Sequence, residues 1–174
     1  DELKKLSLDE DTVIIFTSDN GSRAREEGGS NAPLRGHKGQ TWEGGQRVPC
    51  IIRWPGKVPA GVVCDELVTS MDFMPTLSRV AGTIEPQDRT IDGKDISSLL
   101  FGESGATSPH EVFYYYARGS LAAIRKGKWK LHFFAGSAFG DDVEPDPQLF
   151  DLDADIGESN NIYADHPDIV QELE

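Results

Sequence analysis

Residues 12–21 read Thr12-Val13-Ile14-Ile15-Phe16-Thr17-Ser18-Asp19-Asn20-Gly21. The first part, through Thr17, is an uninterrupted β-branched and aromatic run. Such a run suits a short strand covered on both faces, as in a parallel α/β sheet. It stops abruptly at Ser18-Asp19-Asn20-Gly21. In open α/β sheets the carboxyl ends of the strands are where ligands bind. A carboxylate beside a carboxamide offers two hard oxygens, which suit Ca²⁺ or Mg²⁺ more than zinc. Asp-Asn-Gly is also ordinary turn composition, so this stretch alone leaves both readings open.

Working outward, residues 21–46 carry glycine at 21, 28, 29, 36, 39, 44 and 45 and show neither helical nor strand periodicity. A loop of that length inside a compact domain is usually functional or disordered. Val48–Trp54 reads as a second buried strand, with Pro49 ahead of the ladder, and Pro55-Gly56 as a turn. On the amino side, residues 1–10 read as the end of a helix with Leu3 and Leu6 on one side. Ser70–Gly82 is a helix: Phe73, Leu77, Val80 and Ala81 share a face, Ser70 or Asp72 caps the start, and Gly82 suits the C′ position. A short helical turn is expected over Asp95–Phe101, closed by Gly102.

Past residue 102 the pattern changes. Glu111–Ala117, Leu121–Arg125 and Trp129–Phe134 read as strands, the last two joined by a turn at Lys126-Gly127-Lys128. Gln148–Leu152 is a further candidate strand. Pro167–Glu174 reads as an amphipathic helix with Pro167 in its first turn. The fold expected is α/β over residues 1–102, followed by a small antiparallel β-sheet with one helix over 103–174.

The chain has 174 residues, 37% hydrophobic and 27% charged, which is a globular balance. Its longest apolar run, Val13–Phe16, is far too short to span a membrane. With 17 basic against 30 acidic residues, the net charge is −13. That disfavours a nucleic-acid surface, which needs clustered cations, while leaving room for a local cationic pocket. The amino end has no apolar leader core and no initiator Met, so we expect an excised piece. Cys50 and Cys64 read as two partly buried free thiols rather than a disulfide.

Against that acidic background, Leu34-Arg35-Gly36-His37-Lys38-Gly39-Gln40-Thr41-Trp42-Glu43-Gly44-Gly45 concentrates two cations and a histidine among glycines. Glycine lets backbone approach a ligand closely, and Lys38 can bind a tetrahedral anion as a point charge. A solvated basic loop has the same composition. His37, His110, His132 and His166 share no metal-ligand spacing. His110 and His166 read as loop or cap residues, and His132, between Leu131 and Phe133, as solvent-facing. Phe113–Tyr116 reads as sheet packing. Residues 141–146 read as a solvated loop rather than a calcium loop.

Taken together, these stretches resemble the sulfatase family of the alkaline-phosphatase-like superfamily. The matching pieces are Ile15–Gly21, then Leu34–Gly39 with Trp42–Pro49, then Arg53-Trp54-Pro55-Gly56. Ser70–Leu77, Ile91–Asp95, Leu149–Leu152 and Asn160-Asn161 follow in the family's order. The fold implied for residues 1–102 is therefore part of an alkaline-phosphatase-like sheet layer.

The resemblance implies that Asp19 and Asn20 supply oxygens to Ca²⁺, with Mg²⁺ the lesser candidate. It implies that Lys38 binds the sulfate group. His37 stands where the family often has glycine, which makes it a candidate specificity residue. Glu43 and Arg47 are read as supports of the loop. Sulfatases use a formylglycine nucleophile made within a Cys-x-Pro-x-Arg or Ser-x-Pro-x-Arg motif. Neither Cys50-Ile51-Ile52-Arg53 nor Cys64-Asp65-Glu66-Leu67 fits, and no serine version occurs. The paired aspartates and upstream histidines of the family are also lacking. The expectation is a C-terminal sulfatase portion, inactive alone, whose substrate is a sulfated carbohydrate or an aryl sulfate ester. Its partner is the N-terminal portion of the same protein, or a dimer mate, covering the exposed sheet. The family places such a protein in the periplasm, the lysosome or outside the cell. The competing functions are a phosphodiesterase or phosphonate hydrolase of the same superfamily, and a non-catalytic carbohydrate-binding module. Asp-Asn in place of Asp-His weighs against the zinc-dependent phosphodiesterases.

Overall fold

A computed structural model describes residues 2–24, 28–137, 144 and 146–174. In chain order the elements are α1 (Glu2–Lys5), β1 (Ile14–Thr17), α2 (Glu43–Gln46), β2 (Cys50–Arg53), a 3₁₀ turn (Ser70–Asp72), α3 (Phe73–Val80), α4 (Ser97–Leu100), β3 (Val112–Ala117), β4 (Ser120–Lys126), β5 (Trp129–His132), β6 (Gln148–Asp151) and α5 (Pro167–Leu173). They fall into two compact units. One comprises residues 1–17 and 49–110, the other residues 18–48 and 111–174.

In the first unit β1 and β2 pair antiparallel, with Phe16 opposite Ile51 and Thr17 opposite Cys50. This corrects the parallel pairing expected from the apolar run. Within the described residues the ribbon is not covered on both faces either, since Phe16 is 66% and Ile51 64% exposed. The uncovered apolar face was the expectation for a sheet layer whose other strands lie elsewhere. Cys50 and Cys64 are free thiols, and both are exposed rather than partly buried.

The helix expected over Ser70–Gly82 is present, entered through the 3₁₀ turn. Asp72 holds the N-cap position of α3, one of the two expected, without a side-chain bond to the helix N–H groups, and Thr69 is the N-cap of the 3₁₀ turn before it. The Asp72 side chain accepts the Thr69 N–H at 2.7 Å, and the Asp72 N–H donates to the Thr69 carbonyl at 3.1 Å. Gly82 has φ +70°. Its N–H reaches Arg79 O while that of Thr83 reaches Ser78 O, the pairing that closes a helix on a left-handed residue. α4 ends the same way on Gly102. Residues 1–10 give only the single turn α1, which buries nothing.

The second unit is built on the sheet β3-β4-β5-β6, antiparallel throughout. Arg118 and Gly119, both left-handed, make the tight β3–β4 turn. Alternation along the strands gives the sheet two buried faces. On one, Ile124, Leu131 and Leu149 pack with Val170 and Leu173 of α5. On the other, Phe150 packs with Trp42, Ala135 and Leu152. Lys130 and His132, flanking Leu131, face that second side, and both are fully buried. The period-2 reading that turned His132 to solvent is therefore corrected: the segment around Trp42 covers the face that an isolated hairpin would expose. Residues 141–146 fall largely outside the described residues.

Candidate metal and anion site

Asp19 is exposed and Asn20 half-buried, at the turn that opens the second unit. The turn is held from two sides. Ser18 Oγ donates to Asn20 O at 2.8 Å, and Gly21 N–H donates to Gly45 O at 3.1 Å. Gly21 lies against the Gly44 carbonyl with no room for a β-carbon, which is why the turn needs glycine there. One residue further, Ser22 O accepts the Lys38 N–H at 3.0 Å. Asn31 staples the two loops together. Its Oδ1 accepts Ser22 N–H at 2.8 Å, and its Nδ2 donates to Ser22 O at 2.8 Å and Gly36 O at 3.0 Å. Thus the fold bonds the backbone of Lys38 to Ser22, which lies two residues after Asn20 and sixteen before Lys38 in sequence.

Lys38 is half-buried, and among the described residues its ammonium joins no ion pair. The neighbouring His37 is half-buried, with Nδ1 at 3.0 Å from Lys38 O and its N–H donated to Gln40 Oε1. Its ring therefore contacts the backbone of the residue it precedes. Arg35 stacks on the Trp42 ring at 3.7 Å and pairs with Glu144 at 2.6 Å. It is thereby committed to the loop's own architecture.

Beneath this loop lies a buried ionic network. Glu43, in the single turn α2, meets Lys130 Nζ at 2.9 Å and accepts the Tyr115 hydroxyl at 3.1 Å. Glu158 Oε1 meets Lys130 Nζ at 2.8 Å and His132 Nε2 at 2.9 Å, and its Oε2 accepts the Glu43 N–H at 2.6 Å. Burial opposes the charge on Glu43, but Lys130 and then Arg125 outweigh it and hold the carboxyl below its usual range. Burial, then the adjacent Glu43 charge, push the Tyr115 hydroxyl well above its ordinary value. Burial pulls His132 below the ordinary imidazole value, Lys130 adds to this, and the bond to Glu158 opposes it. The reading of Glu43 as a support of the loop matches this geometry. Arg47 stands only at its edge, 4.0 Å from Glu43.

The network was missed from sequence because its members lie up to 115 residues apart. The available signal was a lysine and a histidine at alternate positions of an apolar strand. His110 and Asp72 were likewise not paired in advance, yet His110 Nε2 sits 2.8 Å from a fully buried Asp72 carboxylate. His166 is at the N-cap of α5, as expected.

Two oxygen donors of the right chemistry stand at Asp19 and Asn20, which fits a hard cation in kind but not in number. Among the described residues no group of three or more His, Cys, Asp and Glu side chains is placed to hold a metal. No helix among them is long and apolar enough to cross a membrane.

The second unit thus joins an antiparallel four-stranded sheet to a glycine-rich loop laced to an Asp-Asn turn. The sulfatase family model matches residues 1–83, and the model for the C-terminal region of aryl-sulfatase matches residues 108–174. An arylsulfatase of Hemicentrotus pulcherrimus is 44% identical over 135 residues, covering 76% of this chain and 24% of that protein. Arylsulfatase A of Homo sapiens is 38% identical over 195 residues, covering 97% and 37%. The crystal structure of the PsFucS1 sulfatase from Pseudoalteromonas sp. superposes with a TM-score of 0.85 at 31% identity, covering 98% of this chain and 37% of that one. The chain belongs to the sulfatase family. It spans between 24% and 37% of the length of these relatives.

Proposed function

We propose that the chain acts within a longer polypeptide as the part of a sulfuric ester hydrolase that holds one side of the metal and sulfate site. The observation that carries this is the pair of loops fastened through Lys38 N–H to Ser22 O and through the Asn31 side chain. That fastening presents two hard oxygens and an uncommitted ammonium on neighbouring backbone. In this reading Asp19 and Asn20 supply oxygens to Ca²⁺, which when bound neutralises charge on the ester group. Lys38 binds a sulfate oxygen as a point charge and strengthens its hold as negative charge develops there. His37 contacts the alcohol side of the substrate and tunes which ester is accepted. The substrate class is a sulfated carbohydrate, with aryl sulfates as the small-molecule alternative.

No residue of the 174 fits the nucleophile motif, so the formylglycine belongs to the remainder of the longer protein. The same remainder covers Phe16 and Ile51 on the exposed ribbon. The compartment in this reading is periplasmic, lysosomal or extracellular. The test is release of inorganic sulfate from an aryl sulfate, with the matching aryl phosphate as control. The complete enzyme should release sulfate and little phosphate, and the 174-residue chain neither. Turnover by the 174-residue chain free of longer material would falsify the division of labour, and preferential phosphate release would move the protein to the phosphodiesterase branch.

A further inference from the structure

Lys130 heads the fully buried side chains by volume, and each of its three ammonium protons has an acceptor. These are Thr41 O at 2.8 Å, Glu43 Oε1 at 2.9 Å and Glu158 Oε1 at 2.8 Å. A buried ammonium bridging two carboxylates contributes little net stability over an apolar side chain of equal volume. What it does supply here is fixed placement of the groups it joins.

Those groups bracket Lys38. Glu158 receives both ends of the segment 35–43: its carbonyl accepts Arg35 Nη1 at 3.0 Å, and its Oε2 accepts the Glu43 N–H at 2.6 Å. Gly44, just past the segment, donates its N–H to Arg35 O at 2.7 Å, and inside it Gln40 N–H reaches His37 O at 3.0 Å, so the loop closes on itself. The loop therefore has few internal ways to shift while its ends are held. Lys130 lies beneath, on the rigid strand β5, and fixes Thr41, Glu43 and Glu158 at once. The charges balance, with Lys130 and Arg125 facing Glu43 and Glu158.

Resting on the reading of Lys38 as the sulfate-binding cation, we propose that Lys130, clamped to Glu158, is a positioning residue that sets where Lys38 meets the substrate. Lys130 touches no substrate itself. A displacement of about 1 Å in such a group costs up to about a hundredfold in rate.

Lys130→Met alone leaves two buried carboxylates facing one guanidinium and is expected to fold poorly. The informative variant is Lys130→Met/Glu158→Gln, which keeps the charge balanced and retains an acceptor for the Glu43 N–H. Two readouts apply. In the 174-residue chain, amide hydrogen exchange of Lys38, Gln40 and Gly44 should quicken by at least about tenfold while the amides of β4 and β5 keep their protection. In the complete enzyme, kcat on an aryl sulfate should fall by about tenfold to a hundredfold. On a Lys38→Ala background the same double change should cost less than about twofold, because the two changes act through one group. Unchanged exchange over 38–44, or a rate loss fully additive with Lys38→Ala, overturns the positioning role. A Lys38→Ala enzyme with full turnover refutes the sulfate-binding reading instead, and the exchange readout still reports on the clamp.

Discussion

Replacing Lys38 by alanine separates the site from the scaffold. In the fold Lys38 contributes its backbone N–H to Ser22 O, a bond that alanine retains. Its side chain is half-buried and enters no ion pair among the described residues, so truncation orphans no buried carboxylate. The stability change should stay within about 0.5 kcal/mol, as for surface sites without special partners. The chemical loss is of another size. Removing a preorganised donor to a developing oxyanion costs about 2–4 kcal/mol, which is about 30- to 900-fold in turnover. Lys38→Arg should recover little, since a planar fork does not reproduce a compact ammonium. The assay is steady-state sulfate release by the complete enzyme, with urea unfolding of the same preparations. Near wild-type turnover in folded Lys38→Ala protein would refute the reasoning and leave the loop a structural element.

Further outcomes follow from the same geometry. Calorimetric titration of the 174-residue chain with Ca²⁺ should show binding weaker than about 1 mM, because two oxygens leave most of the six to eight positions unfilled; tight stoichiometric binding means that further ligands lie within the chain. Asp72→Ala should cost about 3–5 kcal/mol in urea unfolding, since the carboxylate accepts Thr69 N–H at 2.7 Å, Lys94 N–H at 2.8 Å and His110 Nε2 at 2.8 Å; a loss under about 1 kcal/mol means that water replaces those partners. His132 has its pKa lowered by burial and Lys130, so the folded state binds fewer protons than the unfolded one. Its contribution is full above about pH 6.5 and is lost as pH falls through its lower folded value. The groups facing it are Glu158, Lys130 and Glu43, and Glu43, also held low, adds its own loss further into the acid range. Stability curves of wild type and His132→Gln should therefore converge as the pH falls below that of free imidazole, and parallel curves contradict this. His37→Ala should change KM between two sulfate esters more than kcat on an activated one, and an equal fall in kcat for both esters places His37 in the chemistry instead.

Local signals were legible in the sequence. The helix at 73–80 announced itself by its apolar face and by Gly82, and the β3–β6 sheet by its β-branched and aromatic strands with a turn at Gly127. The Asp-Asn turn and the lysine loop were legible as pieces. Their adjacency was not, because it depends on the Asn31 side chain bridging Ser22 and Gly36. Nor was the ionic network beneath them. Lys130 and His132 look outward-facing in a hairpin read alone, and become buried only when a segment some ninety residues earlier covers that face. The antiparallel pairing of β1 with β2 escaped for a related reason. An apolar run states how much surface wants cover, but not which strand lies beside it.

The most direct test is a crystal structure of the complete enzyme with Ca²⁺ and an unreactive sulfate-ester analogue, the cation identified by anomalous scattering. The account requires a cation coordinated by oxygens of Asp19 and Asn20, and a sulfate oxygen within hydrogen-bond distance of Lys38 Nζ. A cation bound elsewhere, or a sulfate group seated away from Lys38, would contradict it.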